Sequence, residues 1–481
     1  MSAAVEHGPR PPATPRLTET LLAHLLALRD APLAPATQAA ARAFLRDSIG
    51  VAIAGAATPL ACRLQALWQA GGSGQAQVWG TELRAPRDAA AMLNAFAIHC
   101  QEFDCVHEPA VVHPLAVTLA ALLTDADARG GVSGEALLRA LVIAVELAAL
   151  IGICSRAPMR FFRPGMCGAL GATAGLCALR GLDADASRHA LGLACGQLSG
   201  TMQAHQEGLP TLALQIAWNA RAALTAVDLA QAGLPGPRDF LEGPYGYFAL
   251  VEGQAGVDWD AAPALAAIAA PVRAIEQISH KPFPTGRAAH GALDMLGELL
   301  RSHGFAPEQV ARIELAAPPL VLRLVGRPLV EPLTPSHARL CLPYLLSTCL
   351  ARGQVGLDDF TQDALADPVR SASADRVAWG GNDCTDANAL APQALRVTLQ
   401  DGQCFGLTRD AILGAPQVPL AAAARDAKFA HCLDHAGAPF DAAARAALDA
   451  CIAGVQALPC VRALADATVP STALPRGHLD R

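Results

Sequence analysis

Apolar side chains recur at i, i+3 and i+4 from Leu17 to about Val251, a 3.6-residue period that predicts a long run of helices. The period is clearest over Thr37–Ala54, Arg87–Ile98, Pro114–Asp125, Ser133–Ile153, Gly168–Leu182, Ala184–Gly200 and Leu212–Ala232. Punctuation falls between these stretches, at Gly55 to Pro59, at Gly130-Gly131 and at Gly233 to Pro237. Ser133 and Asp183 each stand where an N-cap would open a helix. Many of the helices are Ala-rich on several faces, which suits close helix–helix approach inside a large helical domain.

The texture changes after Ala270. Val310–Ala316, Leu395–Leu399 and Cys404–Leu407 alternate with period two, and the last two flank an Asp401-Gly402 turn. Helical stretches lie between them at Arg287–His303 and Ser336–Arg352, and the pattern is helical again over Leu420–Ala465. The expected fold is mainly α: a large all-helical domain at 17–270, a smaller α+β domain at 271–410, and a helical return to the first domain at 411–481. Residues 1–16 are Pro-rich and polar, lack the apolar stretch of a signal peptide, and read as a disordered tail.

Composition narrows the function classes. The chain has 481 residues, a net charge of −7, 52% hydrophobic and 16% charged residues, and no basic tract. Nucleic acid and acidic membranes are therefore excluded as expected partners. No uncharged apolar run reaches the roughly 18 residues of a membrane span, so a cytoplasmic protein is expected. The apolar surplus points to self-association. The 14 cysteines show no CxxC spacing and read as reduced, buried hydrophobes. Of the 36 cationic residues only Lys281 and Lys428 are lysines. Where coding bias has left arginine almost everywhere, a surviving ammonium marks a position that needs a compact cation.

Two segments concentrate chemistry in this charge-poor chain. His99 to Pro114 holds His99, Glu102, Asp104, His107, Glu108 and His113 within one turn-rich stretch, broken by Pro109 and Pro114. Carboxylates and imidazoles at this density suit proton transfer. The histidine spacings fit no standard zinc pattern, so no metal is expected. His280 to Gly291 holds Lys281, Thr285, Arg287 and His290. Its prolines pin the backbone, and a helix opening after Thr285-Gly286 would offer amides, an ammonium and a guanidinium fork to a carboxylate. A third stretch, Gly196–Gly208 with His205, reads as a polar turn. There is no P-loop, dinucleotide fingerprint or serine-hydrolase elbow.

In this order the motifs resemble the MmgE/PrpD family of lyases and isomerases acting on small polycarboxylates. The resemblance runs from about residue 20 to 435. It rests on Phe44–Gly50, Asn94–Pro114, Gly168–Ala172, Gly233–Gly236, Leu241–Gly243, Tyr247-Phe248, Lys281–Pro284, Ala338–Tyr344, Asp401-Gly402 and Lys428-Phe429. It implies a helical domain, a smaller lid, a homodimer, a site between the domains, and proton chemistry without cofactor or metal. His113, Asp104 and Lys281 match family positions, and Glu102 stands where Asp is usual. Val106 replaces a Thr, Phe162 a His, Leu212 a Lys, Gln215 a His, and Gly286 a His. The expectation is a cofactor-independent, dehydratase-like lyase on a small polycarboxylate, with epimerisation of a dicarboxylate or a non-catalytic binding protein as the alternatives. His113 or Glu102 would be the base, Asp104 would orient His113, and Lys281 would hold a carboxylate or act as an acid. Arg287, His290, Thr285 and His107 would complete substrate binding.

Overall fold

The computed structural model describes residues 16–69, 74–253 and 258–471. The expected tail thus lies outside the described residues except for Arg16. Of the structure, 57% is helix and 9% strand, in a mainly-α architecture with a small α+β unit.

The helical domain is built around the helix Pro114–Arg129, whose residues are buried from Pro114 to Asp127. A helix buried on every face belongs at the centre of a bundle, and its neighbours are Arg87–His99, Gly134–Gly152, Arg163–Leu179 and Thr211–Gln231. Ser133 caps Gly134–Gly152 by accepting from the Ala136 amide at 3.2 Å. Asp183 caps Ala184–Cys195 by accepting from Ala186 at 2.8 Å. The helix read from Gly168 begins instead at Arg163, because Pro164 sits in its first turn, where a missing N–H costs nothing. Small residues set the spacing of the closest pair: a Cβ at Gly171 would lie 2.3 Å from the Ala144 carbonyl oxygen, and one at Gly175 2.7 Å from that of Ala140.

A short antiparallel pair, β1 (Ala76–Gln77) and β2 (Arg84–Ala85), edges this domain. The smaller domain carries a four-stranded sheet of β3 (Val310–Ala317), β4 (Val377–Gly381), β5 (Gln393–Leu399) and β6 (Cys404–Arg409), in spatial order β4-β3-β5-β6. β3 runs parallel to β4 and antiparallel to β5, and β5 and β6 form the hairpin, with Gly402 at φ +87° in its turn. The helices His290–His303 and Leu342–Arg352 cover one face, and with it Ile313, Leu315, Val397 and Tyr344 form a second core. β4 has no alternating signature in the sequence; its glycines and its place beside β3 define it only in the fold.

The last helices rejoin the first core. Phe429, Leu433, Leu448 and Ile452 belong to the same apolar cluster as Ile49, Leu119 and Leu141. All 14 cysteines are unpaired. No single described helix is long and apolar enough to cross a membrane.

Candidate active site

The segment 99–114 connects the C-terminus of helix Arg87–His99 to the N-terminus of helix Pro114–Arg129, where His113 is the N-cap. Both domains hold it. Val106 pairs with Ser279 in an antiparallel bridge (Val106 N to Ser279 O 3.1 Å, Ser279 N to Val106 O 2.7 Å). Val111 reaches into the core of the smaller domain. The two lysines grip neighbouring carbonyls: Lys281 Nζ donates to Glu102 O at 2.9 Å, and Lys428 Nζ donates to Phe103 O at 2.8 Å. Lys428 also pairs with the buried Asp47 at 2.7 Å. Glu102 and Val111 take φ of +51° and +52°, a conformation rare for any residue with a Cβ and rarest for a β-branched one. Backbone strain of this kind persists only where surrounding structure enforces it.

The enforced geometry gathers ionisable groups around one carboxylate. His99 Nδ1 lies 3.1 and 3.2 Å from the two Asp104 oxygens. His113 Nδ1 lies 3.0 Å from Asp104 Oδ2, off the line of a hydrogen bond. The imidazoles meet edge to face at 4.7 Å. Glu102 stands on the other side of His99, 3.7 Å from its Nε2, and its carboxylate is 3.2 Å from the fully buried Lys281 ammonium. Helix Pro114–Arg129 points its positive end at this group.

Burial opposes every charge here, and the neighbours decide which survive. Burial alone would raise Glu102, but Lys281, His99 and His113 outweigh it and bring it down to about 2. Asp104 lies well below its ordinary value, because His113 and His99 overcome its burial. His99 is raised: the pull of Asp104 and Glu102 exceeds the cost of burial. His113 is lowered, first by burial and then by Lys281, against Asp104. The surroundings thus push the two rings apart, His99 upward and His113 downward, with Asp104 between them. Two groups of one kind pushed apart in this way can serve as acid and base.

A narrow cleft opens beside them, lined by His99, Cys100, Glu102, His205, Leu212, Ser336 and Arg339. Two buried donors there lack partners, His99 Nε2 and Arg327 Nη1, and the latter lies beside Gly208 on the cleft wall. Unpaired buried donors are costly, and an anionic ligand would satisfy both. Arg339 is brought down to about 10 by burial, against the pull of Cys100 and Glu102. His205 is brought down to about 4 by burial and by Arg327.

His113, Glu102, Asp104 and Lys281 are thus within contact of one another or of His99. The other four candidates stand apart. Arg287 donates to Glu108 at 2.7 and 2.9 Å and to the carbonyls of His280, Ile412 and Leu413, so its fork is occupied. His290 lies between Arg287 and the Thr285 carbonyl, and burial, then Arg287 and Lys281, take it well below its ordinary value. Thr285 is buried, with its hydroxyl on the Gly286 carbonyl at 3.3 Å. His107 Nδ1 accepts from the Ala110 amide at 3.3 Å inside the turn, and burial brings its ring down to about 4. The Gly286 amide is committed to Arg339 O at 3.1 Å, and Leu340 and Val325 pack against Gly286, so this helix start presents no open anion cradle. Donor atoms of His99, Asp104 and His113 fall within 4.8 Å of one another, close enough to share a metal ion, although no metal is expected from the sequence. His99, Arg327 and Arg339 enter the site without having been singled out as substrate-facing. The sequence signals for them are the segment 99–114, which opens on His99, and the stretch Ala338–Tyr344, which contains Arg339.

A helical domain, a smaller α+β domain and a buried cluster of carboxylates and imidazoles at their junction define the class as a two-domain, mainly-α protein. The chain belongs to the MmgE/PrpD family: residues 20–260 match the MmgE/PrpD N-terminal domain and residues 283–453 the C-terminal domain. Among curated proteins it is 27% identical to human cis-aconitate decarboxylase, over 73% of this chain and 74% of that protein. It is 29% identical to the cis-aconitate decarboxylase-like protein oryM of Aspergillus oryzae, over 61% and 64%. It is 25% identical to mouse cis-aconitate decarboxylase, over 78% of each.

Proposed function

We propose that this protein is a cofactor-independent lyase that removes a proton next to a carboxylate of a small polycarboxylate. The observation that carries this reading is the His99–Asp104–His113 cluster, in which two imidazoles share one buried carboxylate and their surroundings raise His99 while lowering His113. His113 takes the proton from substrate carbon through Nε2, and the anionic Asp104 beside Nδ1 stabilises the imidazolium that forms. The electron pair left on carbon delocalises into the adjacent carboxylate. Lys281 and Arg339 stabilise the charge developing there. His99 delivers its proton from Nε2 to the departing hydroxyl, which leaves as water. Glu102, ionised down to about 2, is a weak base, and it serves by holding Lys281 in place.

The same pair supports epimerisation, with His99 returning a proton to the opposite face of the carbanion; the placement of the two rings on one carboxylate favours this as the second reading. Cis-aconitate, the compound after which the relatives are named, is a poor fit. Leu212 lines the cleft and Phe162 packs at 5.7 Å from His99, at positions where the family resemblance implies a Lys and a His respectively.

The test is turnover by the purified full chain against a panel of hydroxylated and unsaturated di- and tricarboxylates, with products identified by NMR. Loss of water from, or inversion of, a panel member supports the reading and separates its two forms. Binding without turnover across the panel overturns it in favour of a non-catalytic binding protein.

A further inference from the structure

We propose a transition-metal site on the seam between the two domains, formed by His431, His435 and Asp358. It is separate from the acid–base cluster and shares no residue with it.

His431 and His435 are one turn apart at the end of helix Ala422–Asp434, a spacing that places both rings on one face. Their centroids are 4.3 Å apart. Asp358 comes from the short turn Leu357–Phe360 of the smaller domain, whose Phe360 lies in that domain's core. Donor atoms of the three residues all fall within 4.8 Å of one another. His435 Nδ1 lies 2.8 Å from the His431 carbonyl oxygen. A carbonyl only accepts, so Nδ1 carries the hydrogen and Nε2 offers a lone pair. That lone pair faces an Asp358 oxygen at 2.7 Å. Two lone pairs do not face one another at this distance without a cation between them, either a second proton or a metal ion.

The third residue points to the ion: a proton needs only His435 and Asp358, whereas a donor atom of His431 also lies within 4.8 Å of both. Asp359 is tied to Arg352 and Arg370, and Asp434 to Arg445, whereas Asp358 pairs with His435 alone among the described residues. Tetrahedral bonds of about 2.1 Å set ligand atoms about 3.4 Å apart, wider than the present 2.7 Å. The Asp358 side chain is 66% exposed and free to rotate that far. Two imidazoles and one carboxylate suit Zn²⁺, Co²⁺, Ni²⁺ or Cu²⁺ rather than Mg²⁺ or Ca²⁺. With three protein ligands the fourth position falls to water. The bound ion would clasp the return helix to the smaller domain.

The test is titration of the metal-stripped full chain with Co²⁺, followed by visible absorption, with Zn²⁺ displacement measured by calorimetry. One equivalent is expected, with the intense bands of tetrahedral Co²⁺. His431→Ala, His435→Ala and Asp358→Ala each weaken it at least tenfold, while His113→Ala leaves it unchanged. All three clasp residues are partly or fully exposed, and circular dichroism checks that the variants stay folded. A spectrum that remains that of hydrated Co²⁺, clasp variants that bind like the parent, or loss of binding on His113→Ala would each overturn the proposal.

Discussion

Each ionisable residue in the site takes its role from its neighbours, and pH is the sharpest probe of that. A base with a lowered pKa and an acid with a raised one predict a bell-shaped kcat/KM. Its acid limb lies below pH 6.5, where His113 gains its proton, and its basic limb above 6.5, where His99 loses its proton. A profile measured on the substrate found by turnover checks this; an acid limb above pH 7 would assign the base elsewhere. Stability carries a second signature. Glu102 has a folded pKa of about 2 against an ordinary 4.5, a depressed value. Its contribution is therefore fully present above pH 4.5 and is lost as the pH falls toward 2. Urea denaturation of Glu102→Gln and its parent should differ most above pH 4.5 and converge on acidification. The two lysines illustrate how far residue reading reaches. Scarcity marked both, but only contact tells them apart: Lys281 faces Glu102, whereas Lys428 is bound to Asp47 and the Phe103 carbonyl.

Among the elements, the long helices follow directly from period and caps, because an amphipathic stripe and a Ser or Asp N-cap are local features. Strand β4 and the turn at 99–114 are not local. β4 exists through its pairing with β3, and the positive φ at Glu102 and Val111 is enforced by anchors more than 160 residues away in sequence, such as Lys281 on Glu102 and Arg287 on Glu108. For the same reason the second segment divides: Lys281 turns to the site, while Arg287 and His290 hold the junction. Helix spacing is the element-scale handle. Gly171→Ala would put a methyl 2.3 Å from the Ala144 carbonyl oxygen, and overpacking of this kind costs about 1–3 kcal/mol. Chemical denaturation should show that loss. Activity should fall too, because the displaced helix Arg163–Leu179 begins beside Phe162, which packs on His99.

At the scale of the whole molecule, the candidate site lies where two cores meet, and the segment 99–114 is fastened to both. The family resemblance implies a homodimer, and exposed apolar side chains such as Trp218, Tyr245 and Leu250 offer surface for one. Light scattering of the purified protein should give twice the 49.5 kDa chain mass; a monomer at micromolar concentration would contradict this. The central claim, proton removal from carbon at the Asp104 cluster, is tested most directly by deuterium incorporation in D2O. The parent protein and its Lys281→Met and His113→Gln variants would be incubated with the panel of polycarboxylates and followed by proton NMR. The account predicts exchange at a carbon next to a carboxylate in the parent, reduced by about 10²–10⁴ in His113→Gln and by a comparable factor in Lys281→Met. Exchange that continues at the parent rate in both variants would contradict it.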